Sequence, residues 1–67
     1  MASLAEEYPQ QQQRLRELVR EYDGLPLHAG SFASYMIRQT LGRAEHAAMS
    51  GDVVAMIRSF EEMKGCE

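Results

Sequence analysis

The apolar positions of the chain fall into three runs with helical spacing. In the first, Leu15, Leu18, Val19 and Tyr22 recur at i, i+3, i+4 and i+7, which gives a helix one stripe to bury. Arg16, Arg20 and Asp23 lie on its opposite face. The second run holds Ala33, Met36, Ile37, Thr40, Leu41, Ala44 and Ala48, with Phe32 and Tyr35 at its N-terminal end. The third holds Val53, Met56, Ile57, Phe60 and Met63.

Local punctuation sets the expected boundaries. Pro9 suits a first helical position, where its missing N–H would have had no partner, and Gly24 suits a left-handed stop, so the first helix should span about 9–23. Ser3 and Glu6 have capping-box spacing and could start an earlier turn. Pro9 would nevertheless leave the Ala5 carbonyl without its donor, and Tyr8 before it leans extended. Residues 1–8 are therefore expected to fray or to turn separately. In the connector from Asp23 to Ser31, Leu25 and Leu27 flank Pro26 and are expected to pin the loop onto the core.

Ser31 is a good capping type for a second helix over 31–49. Gly42 inside it costs about 1 kcal/mol relative to alanine. Together with Ala44, Ala47 and Ala48 it makes a slim surface that another helix can approach. Ser50 and Gly51 end this helix, Asp52 caps a third over 52–64, and Lys64 and Gly65 close it. A turn of two or three residues forces the second and third helices into an antiparallel hairpin. The expected fold is all-α: one domain over 1–67, a small three-helix unit with the first helix packed across the hairpin.

The stretch Ser50–Gly65, "SGDVVAMIRSFEEMKG", resembles the second helix of a pentatricopeptide or tetratricopeptide repeat. A small-residue turn there precedes an aliphatic-aromatic helix. The likeness covers about a quarter of the chain. Membership would imply an array, and arrays stack about three or more units to bury a continuous core. Only one hairpin is present, so the resemblance is read as a shared solution to hairpin packing.

Composition narrows the functional classes. A chain of 67 residues is marginal as an isolated domain, because so short a chain leaves about 40% of its surface in water after folding. The single cysteine, Cys66, rules out an internal disulfide and fits a reducing, cytoplasmic setting. No apolar run reaches the roughly 20 residues of a membrane span, and the N-terminal residues carry no secretion signal, so no membrane association is expected. The formal charge of −3 has the wrong sign for non-specific duplex binding. In a helix-turn-helix reading, the adjacent Glu61 and Glu62 would be repelled by phosphate. Nucleic acid is the runner-up partner class, through Arg14, Arg16, Arg20, Arg38 and Arg43.

Site chemistry is sparse. His28, His46 and Cys66 show no ligand spacing such as C-x-x-C or H-x-x-x-H, so no metal or cofactor is expected. Cys66 lies one residue from the end of the chain, with no activating base placed beside it in the sequence. The acid pairs Glu6/Glu7 and Glu61/Glu62 read as solvated helix faces. No catalytic residue is assigned, and the expected function is binding rather than chemistry. More apolar side chains are present than a three-helix unit can hide, and several are methionines, which re-pack readily at interfaces. A homodimer that also engages a protein partner is expected, with Leu25, Leu27, His28, Phe32, Tyr35 and Met36 as the contact residues. In size and economy the chain matches the small accessory or regulatory proteins common in bacterial and phage genomes.

Overall fold

The computed structural model describes residues 3–67. It contains three α-helices: α1, Leu4–Asp23; α2, Ser31–Ser50; and α3, Val53–Lys64. A single 3-10 turn, Pro26–His28, lies in the α1–α2 connector, and there is no strand among the described residues. α2 and α3 form a close hairpin and α1 packs against both, as the periodicity predicts. Only Gly51 and Asp52 separate the two hairpin helices. Gly51 takes the left-handed conformation at φ 70°, and the Asp52 side chain accepts the Ala55 N–H at 3.1 Å.

α1 begins five residues before the expected start at Pro9. The Ser3 hydroxyl accepts the Glu6 N–H at 3.3 Å, and the helix then runs through Pro9 to Asp23. Of the residues expected to fray, Met1 and Ala2 lie outside the described residues, while 4–8 are helical. The reason is a long-range anchor. Tyr8 is buried, donates its hydroxyl proton to the Ala44 carbonyl at 2.7 Å, and stacks on Phe60 with ring centroids 6.4 Å apart. Those contacts hold the turn before Pro9 against α2 and α3. They offset the proline's cost of about 3 kcal/mol in a helix interior.

The core is small. Tyr8, Leu15, Ile37, Ala44, Ala47 and Met63 are its buried apolar residues, with Leu18, Val19, Tyr22, Met56 and Phe60 partly buried around them. The buried face of α2 is turned slightly from the expected stripe. Ser34 and Ala47 are inside, while Met36 and Ala48 are exposed. In α3, Ser59 is buried where Val53 and Ile57 were expected, and both of those are exposed. Ser34 can be buried because its hydroxyl donates to the Asp23 carboxylate at 2.6 Å.

The helix caps depart from expectation at three points. Gly24 and Gly65 end their helices in right-handed geometry, at φ −80° and −78°, rather than as left-handed stops. Gly30, not Ser31, is the cap residue of α2. It lies so close to α1 that a methyl group placed on it would meet the Tyr22 carbonyl oxygen at 2.2 Å. Glycine there lets α2 start against the end of α1.

Candidate protein-interaction surface

The connector folds against expectation. Leu25 is exposed and Leu27 is 97% exposed, so neither pins the loop to the core. Instead the connector is fastened at its two ends. Asp23, the last residue of α1, accepts from both Ser34 and Arg38 of α2. Between these ties Leu27 and His28 both adopt left-handed backbone, at φ 58° and 57°. That conformation is sterically costly for residues with a Cβ, and more so for a branched leucine than for asparagine or glycine.

α2 then continues the exposed apolar surface. Phe32, Tyr35 and Met36 occupy one face by i, i+3, i+4 spacing, and all three are exposed, Phe32 by 78%. The six candidate contact residues thus lie at the connector and the first two turns of α2, and His28 is exposed with them. Beside them runs an apolar slot of about 310 Å³. It is lined by Phe32, Ala33, Met36, Ile37 and Thr40 on α2 and by Cys66 and Glu67 at the end of the chain. A protruding aromatic ring stands next to a recess of apolar character, and sequence reasoning named the ring without finding the recess. The recess depends on how the last residues fold back, which no local pattern reports. Tyr22 ties down that fold-back by donating its hydroxyl proton to the main-chain oxygen of Glu67 at 2.6 Å.

Four of the arginines of the runner-up reading are engaged within the fold. Arg14 donates to the Met63 carbonyl at 2.5 Å, to the Cys66 carbonyl at 2.8 Å and to Gln11 at 2.9 Å, which caps the end of α3. Arg16 pairs with Glu45 at 3.6 Å, Arg38 with Asp23, and Arg43 with Glu62 at 2.9 Å. All three of these pairs are half-exposed, where an ion pair contributes at most about 1 kcal/mol. Their partners nonetheless lie on three different parts of the fold. Among the described residues, no three of His, Cys, Asp and Glu gather as a metal site would require. Burial pushes the Tyr8 phenol above its ordinary value, with the Ser59 hydroxyl acting in the opposite direction. Among the described residues, no helix is long and apolar enough to cross a membrane.

Comparison with family models, curated proteins and solved structures matches none of them. The functional reading therefore rests on this surface alone.

Proposed function

We propose that the protein is a non-enzymatic helical interaction module that pairs with a second copy of itself through the start of α2. The single observation that carries this reading is the exposed ring of Phe32 beside the apolar slot that it partly lines. In a two-fold dimer a residue i that contacts j is matched by j contacting i. Each copy's Phe32 can therefore enter the other's slot, so one patch supplies both the projection and the recess. Tyr35 and Met36 extend the contact along the helix face. Leu25 and Leu27 extend it along the connector, with His28 at the rim.

The physical gain comes from removing apolar surface from water, about 25 cal/mol for each Å² buried. A monomer of 67 residues has little interior in which to place these side chains. Backbone strain at Leu27, a fully exposed residue, supports the same reading, because unfavourable backbone persists where a function uses it. A dimer of this kind is a platform for a further protein partner, and a reducing cytoplasm is the setting in which its lone cysteine stays a thiol. Sedimentation equilibrium over a wide concentration range tests the pairing, with Phe32→Glu as the control that removes the ring.

A further inference from the structure

The hairpin carries a second surface, separate from the start of α2. An open groove of about 660 Å³ runs between α2 and α3, from Arg38 to Ser50 on one side and from Glu62 to Asp52 on the other. At 1.5 Å per residue it is about 15–18 Å long, three turns of helix. Its length and openness suit a rod rather than a compact small molecule.

Two independent features describe what would lie in it. The first is space. Gly42, Ala47, Ala55 and Ser59 line the groove, so a visiting backbone could come close. Gly42 is the telling position. It sits inside α2, where glycine is unfavourable, yet it has no left-handed backbone, and a methyl group on it would meet nothing within 4 Å. Neither the fold's packing nor its backbone geometry explains this glycine. Its missing side chain leaves room for a close approach from outside.

The second feature is charge. Arg38, Arg43 and Arg58 face Asp52 and Glu62 here, a formal balance of +1. The other four Lys and Arg and eight Asp and Glu leave the rest of the chain at −4. Arg58 pairs with no acid among the described residues. Arg38 and Arg43 are held by Asp23 and Glu62, but both pairs are half-exposed and an incoming carboxylate can replace either acid.

We infer that the α2–α3 groove docks an acidic amphipathic helix of a partner protein. Its small side chains would lie over Gly42 and Ala55, and its flanking carboxylates on Arg38, Arg43 and Arg58. A helix laid there becomes a fourth member of the bundle, the usual helix-in-groove mode of recognition. The inference does not depend on self-pairing through Phe32, and the two can fail separately.

The probe is a stapled helical peptide of about 16 residues, long enough to span the groove, with alanine on one face and glutamate on both flanks. Its counterpart carries lysine in place of each glutamate. Titration into the intact, isotope-labelled chain should shift the amide resonances of Gly42, Ala47, Ala55 and Arg58 and saturate. The lysine peptide should bind at least about tenfold more weakly. Arg58→Glu and Gly42→Leu, both exposed positions, should keep the helical circular dichroism of the parent and each lose about tenfold or more in affinity. Absence of saturable binding, equal binding of the lysine peptide, shifts confined to other surfaces, or unchanged affinity in both variants would overturn the inference.

Discussion

The Tyr8 hydroxyl donates to the Ala44 carbonyl at 2.7 Å, and this bond joins the first turns of α1 to the middle of α2 across 36 residues of sequence. Tyr8→Phe keeps the ring and its stacking on Phe60 but removes the donor. A thermal melt near neutral pH should show a loss of about 1 kcal/mol. The folded state also holds this phenol above its ordinary value of 10.0. Its contribution is therefore complete below about pH 10 and is lost as pH rises through the raised value. Stability measured from pH 8 to 11.5 should fall more steeply in the parent than in Tyr8→Phe.

Two glycines of the chain should respond to the same substitution in opposite directions. Gly30→Ala drives a methyl group into the Tyr22 backbone, which must shift to admit it. It should cost about 2–3 kcal/mol in denaturant unfolding. Gly42→Ala places its methyl group in open space on an exposed helix and should gain up to about 1 kcal/mol. Equal effects at both sites would mean that the α1–α2 approach is looser than described.

These positions also show where the sequence is legible and where it is not. The three helices and the hairpin follow from periodicity and a two-residue turn, both local signals. Asp52 follows from capping chemistry alone. The early start of α1 does not, because Pro9 argues locally for a break and only the distant Ala44 and Phe60 overrule it. Gly30 was passed over because Ser31 beside it is the better capping type, and its close packing on Tyr22 is a tertiary fact. Ser34 and Ser59 turn the buried faces of α2 and α3, and a search for apolar residues passes over buried serines. For the candidate surface, Phe32, Tyr35 and Met36 could be named from the apolar surplus. The slot beside them is built by chain that returns from the far end of the sequence.

Arg14 illustrates a long-range role hidden behind a plausible local one. Its guanidinium fills the carbonyls of Met63 and Cys66 at the end of α3, where a cation also complements the helix dipole. Arg14→Ala should cost about 2 kcal/mol, the range for hydrogen bonds made by a charged group. Arg14→Lys should recover only part of that, since an ammonium group cannot present the planar fork to two carbonyls at once. Urea titrations of the three proteins give the comparison directly.

Leu27 separates a binding role from a structural one. Leu27→Asn replaces an exposed branched residue at φ 58° with one that tolerates left-handed backbone. The monomer should gain about 1 kcal/mol by relief of strain. Self-association should weaken at the same time, because a fully exposed apolar contact is lost. A variant that is more stable and pairs as tightly as the parent would remove Leu27 from the interface.

Pairing through Phe32 is the central claim, and sedimentation equilibrium tests it most directly. The parent chain should pass with rising concentration from 7.6 kDa to twice that mass. Phe32→Glu should remain at the monomer mass throughout while keeping the helical circular dichroism of the parent. A parent chain that stays folded and monomeric at the highest concentration reached, or a Phe32→Glu variant that pairs as well as the parent, would contradict the account.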